Sequence, residues 1–159
     1  MQSSGYDWDT TILKNRASGY ERSPDGRIRN AEYLDMSQPY SAGSLYSTTE
    51  DLYRWDRALY ADKALSAKSK EKLYTPALDN YAYGWFVDKQ FNRRRISHGG
   101  GINGFTTQLA RYPDDDACIV VLNNYGGPAT GAIARDLAAI LFGEKYTLPV
   151  ERKEVTLDP

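Results

Sequence analysis

The residues best suited to chemistry gather at one place in this sequence, Ser97-His98-Gly99-Gly100-Gly101-Ile102-Asn103-Gly104-Phe105. It holds the chain's only histidine and its densest run of glycine. An imidazole titrates near neutral pH, so His98 can move a proton or bind a carboxylate. Glycine tolerates positive φ and lets another backbone come close. Three in a row at a strand end therefore mark a sharp turn or an edge that faces a ligand. A hairpin turn carrying a chance histidine is the plainer alternative. Ser97 and His98, adjacent on a strand, point to opposite faces, which argues against their forming a catalytic pair.

Other reactive residue types are less promising. Ser69-Lys70-Glu71-Lys72 is a Ser-x-x-Lys string, but a lysine must be desolvated to serve as a neutral base, and charges surround this one. Cys118, the one cysteine, lies in the apolar run Ala117–Leu122 and reads as an inert buried thiol. A single His and a single Cys leave no ligand set for structural zinc. Asp114–Asp116 follow Pro113 as a turn without the spaced ligands of a calcium loop. Arg93–Arg95 read as a solvated strand edge rather than an anion site. No metal and no cofactor is expected.

The elements that must position His98 can be read in order. At 159 residues and a formal charge of -1, the chain suits one globular domain, and its balanced charge speaks against a nucleic-acid binder. No apolar run is long enough to span a bilayer, and the first residues carry neither the basic nor the apolar segment of a signal peptide. Pro24-Asp25-Gly26 predicts a hairpin between 17–22 and 28–33. Ser47 with Glu50 predicts a helix start, and Leu52, Trp55 and Leu59 give that helix a face to bury. A second, solvated helix is expected over 66–74. Four antiparallel strands follow over 83–88, 93–98, 105–112 and 117–123, the last covered on both faces, with the glycines as the turn before the third. Residues 129–142 predict a helix with Ile133, Leu137, Ile140 and Leu141 on one side, capped by Gly143. The fold class is therefore α+β, an antiparallel sheet of about four strands packed with helices. The domain is expected over 1–143, with 144–159 as a tail.

Four blocks in this order carry a resemblance: Ala42-Gly43-Ser44-Leu45-Tyr46-Ser47-Thr48-Thr49-Glu50-Asp51-Leu52, Tyr83-Gly84-Trp85, His98–Phe105 and Val120-Val121-Leu122-Asn123-Asn124. Together they resemble the second half of the serine β-lactamase-like hydrolases, which include class C β-lactamases, penicillin-binding D,D-peptidases, esterases and D-aminopeptidases. The resemblance implies the C-terminal part of a β-lactamase/transpeptidase-like fold. It makes His98-Gly99-Gly100 the family's third motif, Lys-x-Gly or His-x-Gly. His98 would assist proton transfer or bind a substrate carboxylate, and the Gly101 N–H would be one of two oxyanion-hole donors. Gly99 and Gly100 would leave room for substrate to lie along the strand as an added edge. Asn124, at a strand end where Asn also suits a turn, is a further substrate contact.

The family's nucleophile sits in an earlier Ser-x-x-Lys followed by Tyr-x-Asn or Ser-x-Asn. Neither of the latter occurs here, and Ser69–Lys72 stands in the wrong place, so no nucleophile is assigned. Met1-Gln2-Ser3-Ser4-Gly5-Tyr6 resembles an internal join of the family, and Glu154–Pro159 resembles a lead into a small C-terminal β domain. The expectation is a piece of a serine hydrolase that cleaves amides or esters, inactive alone, whose parent takes a β-lactam, D-amino-acid peptide or ester outside the cytoplasm. Two alternatives remain. One is a non-catalytic binding module for a D-amino-acid peptide or glycan, with Tyr81, Tyr83 and Trp85 as platforms. The other is a fragment that self-associates or complements a separate N-terminal half.

Overall fold

The computed structural model describes residues 1–62 and 64–148. The expected tail over 144–159 lies outside the described residues from 149 onward. The first third of the chain is built of short pieces. Strand β1 (Gly5–Tyr6) and, further on, β4 (Leu45–Tyr46) pair antiparallel, and β2 (Tyr20–Arg22) and β3 (Ile28–Asn30) form the expected hairpin. A single helical turn, α1 (Tyr40–Gly43), precedes β4.

Helix α2 (Thr49–Tyr60) starts one residue later than the sequence suggests. Thr48, not Ser47, is the capping residue, and its hydroxyl accepts from the Asp51 N–H at 3.2 Å. Ser47 instead meets the Ser4 hydroxyl at 2.8 Å. Asp51 is fully buried at this helix start and binds the Ser3 N–H, the Ser4 hydroxyl and Arg54 at 2.7–2.8 Å. Burial opposes its charge, but these donors outweigh the burial and hold the carboxyl down at about 2. Helix α3 (Ala67–Leu73) is capped by Ser66 and, as its charges imply, has no buried residue.

The centre is a four-stranded antiparallel sheet in sequence order: β5 (Phe86–Gln90), β6 (Arg93–Ile102), β7 (Phe105–Tyr112) and β8 (Ala117–Asn123). The glycines are not the turn. Strand β6 runs through all three, and the chain reverses at Asn103-Gly104, where Gly104 takes φ of +75°. The Asn-Gly pair is itself a hairpin signal, which the longer glycine run masks in the sequence. A side chain at Gly104 would come within 2.6 Å of Gly19 and Ala31, so the turn is gripped by the base of the β2–β3 hairpin.

Helices cover both faces. On one, Leu59 of α2 packs with Trp85 and Ile96, bordered by Trp55, Leu73, Tyr74 and Leu109. On the other, α4 (Ala129–Phe142) packs Ala134 and Ala138 on Ala110, Tyr112 and Ile119. The side with the larger apolar residues is not the one that packs. Ile133, Leu137, Ile140 and Leu141 are 43–56% exposed, and the alanine face is inside. Small residues let the helix lie close to the sheet, and periodicity alone cannot say which of two apolar faces turns inward. Gly143 caps α4 in the left-handed conformation, as expected.

Arg111 and Asp56 are both buried and bind at 2.5 Å, linking β7 to α2. Arg111 also donates to the Tyr74 hydroxyl at 2.7 Å, and Asp56 accepts from Arg57. Cys118 lies beside this network, and burial pushes its thiol up to about 12.

Candidate functional site

The strand ladder exposes one edge. Strand β5 pairs with β6 only from Arg93 to Ser97, where Phe86 faces Ser97, whereas β7 pairs with β6 all the way to Ile102. His98–Ile102 therefore have β7 on one side and, among the described residues, no strand on the other. Residues 90 and 93, and 102 and 105, close the two-residue turns. Backbone groups alternate in direction along an antiparallel strand, so Gly99 and Gly101 direct their N–H and C=O groups toward the open side. Four of the five residues expected to form the site are thus consecutive on one open strand edge.

Each glycine has its own surroundings. A Cβ at Gly100 would approach the Thr107 hydroxyl to 2.6 Å, and one at Gly99 would lie 3.0 Å from the Gln108 side-chain oxygen. A side chain at Gly100 would thus press on Thr107, whereas one at Gly99 would displace the movable end of Gln108. A Cβ at Gly101 would meet nothing within 4 Å, so the space there is free. Asn124 stands at the same end of the sheet, just past β8, where Gly101 faces Thr106 and Thr106 faces Asn123. Its side-chain N–H donates to the Ser18 carbonyl at 3.0 Å, and its carbonyl accepts from the Tyr20 N–H. It thereby ties the β2–β3 hairpin to the end of β8.

His98 and Ser97 take opposite faces. Ser97 is 4% exposed, and His98 is exposed on the side of α2 and α3. The imidazole sits in an aromatic corner that the sequence reading did not assemble. It stacks on Phe86 at 5.6 Å and meets the Tyr81 ring edge at 5.9 Å. Its Nε2 lies 3.2 Å from the Tyr81 hydroxyl, and its Nδ1 lies 2.5 Å from the Gly99 carbonyl. Tyr81 reaches it because residues 80–82 fold back on 85–87 around Gly84, at φ +75°. The Tyr83-Gly84-Trp85 block was the available signal, but not for this contact. Of the three proposed platforms, Trp85 is buried in the core and Tyr83 lies under the Lys72 ammonium at 5.5 Å.

The remaining candidates fall elsewhere. Ser69 and Lys72 are exposed on α3, and the Ser69 hydroxyl pairs with Ser66 at 3.0 Å rather than with a base. Arg93 pairs with Asp115 and Arg95 with Asp88. A groove of about 350 Å³ lies on the α4 side, lined by Asp88, Arg95, Ser97, Gln108 and Arg135 among others. It reaches Gly99 but not His98. Among the described residues no helix is long and apolar enough to cross a membrane, and no group of three potential ligands could hold a metal ion.

A family model described as beta-lactamase matches residues 1–144. A penicillin-binding protein of Bacillus subtilis strain 168 is 35% identical over 138 residues, covering 79% of this chain and 30% of that protein. Among solved structures, the penicillin-binding protein from Bacillus halodurans superposes with a TM-score of 0.72 at 27% identity, over 90% of this chain and 45% of that one. The D-amino acid amidase from Ochrobactrum anthropi SV3, complexed with L-phenylalanine amide, gives 0.73 at 21% identity, over 90% and 47%. That last likeness is one of fold. The chain spans less than half the length of each of these proteins.

Proposed function

Because the chain belongs to the beta-lactamase family, a family of serine hydrolases, we propose that His98–Ile102 form one wall of an acyl-serine site that hydrolyses an amide or ester. The observation that carries this reading is the open edge of β6. Beyond Ser97 no β5 residue pairs with it, so the Gly99 N–H and both backbone groups of Gly101 can receive a substrate main chain as an added strand, while the Gly99 carbonyl is held by His98, and a Cβ at Gly101 would meet nothing within 4 Å. In this reading the Gly101 N–H stabilises the oxyanion of the tetrahedral intermediate. His98 stands beside it to move a proton or hold a substrate carboxylate, and Gly99 and Gly100 admit the substrate. Asn124 keeps its bond to Ser18 and offers substrate its side-chain oxygen.

The serine nucleophile and its base come from outside these residues, in a longer protein or a separate half. The substrate class in this proposal is a β-lactam, a D-amino-acid peptide or a simple ester. A fluorophosphonate, which traps activated serines, tests the reading by intact mass. The purified chain is expected to take no adduct. A longer gene product with an in-frame upstream Ser-x-x-Lys is expected to take one equivalent, at a rate that falls about 10²-fold or more in His98→Ala. A stoichiometric adduct on the present chain, lost in His98→Ala, would mean that the nucleophile lies among its own residues and would overturn the division proposed here.

A further inference from the structure

His98 is exposed, yet both of its ring nitrogens are engaged. Nδ1 lies 2.5 Å from the Gly99 carbonyl oxygen, and a carbonyl can only accept. Nδ1 must therefore carry a proton. In the neutral ring Nε2 is then the bare nitrogen, an acceptor, and among the described residues its partner is the Tyr81 hydroxyl at 3.2 Å. Phe86 closes the corner, stacked on the imidazole at 5.6 Å and edge-on to Tyr81 at 4.7 Å. Tyr81 is itself held. Its N–H donates to the Leu78 carbonyl at 2.8 Å, and its flanking residues bond across the turn, Ala82 N–H to the Trp85 carbonyl and Val87 N–H to the Asn80 carbonyl, both at 2.8 Å.

We propose that Tyr81 is the positioning residue of His98: its hydroxyl donates to Nε2, fixes the Nδ1–H tautomer and pins the ring against the Gly99 carbonyl. This rests on the reading of His98 as a site residue and adds how that residue is presented. The neutral ring offers substrate no unoccupied nitrogen, so Tyr81 must swing away, or its hydroxyl must carry the contact, before Nε2 can act as a base. On protonation the bond reverses. Nε2–H then donates to the Tyr81 oxygen, and the phenolic hydrogen is freed for another acceptor. Among the described residues, the ring meets Tyr81, Phe86 and the Gly99 carbonyl, and no carboxylate hydrogen-bonds or pairs with it.

The single histidine makes the test unambiguous. Long-range proton–nitrogen correlation spectra of the ¹⁵N-labelled chain at a pH where His98 is neutral are expected to place Nδ1 in the protonated, pyrrole-like range and Nε2 in the bare, pyridine-like range. Tyr81→Phe keeps the ring and loses only the donor; the exposed imidazole is then no longer pinned, leaves the Gly99 carbonyl, and is expected to shift toward the Nε2–H form that free histidine favours. An Nε2–H tautomer in the unaltered chain would overturn the proposal without any variant. An unchanged Nδ1–H tautomer in Tyr81→Phe would remove Tyr81 from the role. Neither result involves a nucleophile or a substrate, so failure here is distinct from failure of the acyl-serine reading, which the fluorophosphonate experiment decides.

Discussion

At the residue scale, the His-x-Gly element was legible because histidine and glycine are chemically distinctive and stand side by side in sequence. Its aromatic corner was not, since Tyr81 lies 17 positions before His98 and is brought to it by a tight turn. Charged residues misled in another way. An aspartate early in a helix reads as a solvated residue favoured by the helix dipole, and nothing in the sequence marks Asp51 as buried. Its behaviour with pH follows from its partners. Its folded value of about 2 lies below the ~4 of an unfolded aspartate. The unfolded state therefore binds the extra proton first, so the stabilisation is complete above about pH 4 and is lost as pH falls toward 2. Asp51→Asn is expected to lower stability at pH 7 and to flatten the decline between about pH 4 and pH 2. Urea midpoints measured across that window check it, and an equally steep decline in the variant would contradict it.

At the element scale, the sequence placed the strands and both long helices, because apolar periodicity and turn residues are local signals. It misjudged β6 because a run of glycine reads as a break, whereas here all three pair in register with Gln108, Thr107 and Thr106 of the neighbouring strand. It left open which side of α4 packs, because the larger side chains look like the core, while alanine lets the helix approach the sheet. The result is an exposed apolar stripe of Ile133, Leu137, Ile140 and Leu141. Beside it, β8 has no strand pairing its outer edge from Ala117 to Asn123 among the described residues. Exposed apolar stripes and unpaired edges both promote association. Light scattering is expected to show the purified chain self-associating as concentration rises, and Leu137→Lys with Ile140→Lys to restore the monomer. A chain that stays monomeric throughout would show that the stripe is not sticky enough to drive association.

At the scale of the whole molecule, the helical layer and the sheet are joined on the His98 side by Asp56 and Arg111 as well as by apolar packing. This link was invisible in sequence, where Arg111 reads as one more charge on a half-exposed strand. Truncating one partner of a buried pair leaves the other without compensation, which typically costs several kcal/mol. Because Arg57 still reaches Asp56, Arg111→Met is expected to cost about 3 kcal/mol, at the lower end of that range. Chemical denaturation measures it, and a loss below about 1 kcal/mol would mean that the methionine packs as well as the ion pair bonds.

The meander has a consequence in time. Each strand of the sheet lies beside its neighbour in sequence, and the connections are two to four residues long. Closing such short loops costs little entropy, and chains rich in local contacts fold quickly. The β2–β3 hairpin must instead find the Asn103-Gly104 turn across more than seventy residues. The open edge that carries His98 therefore takes shape early as the polypeptide folds, ahead of the segment that grips its end.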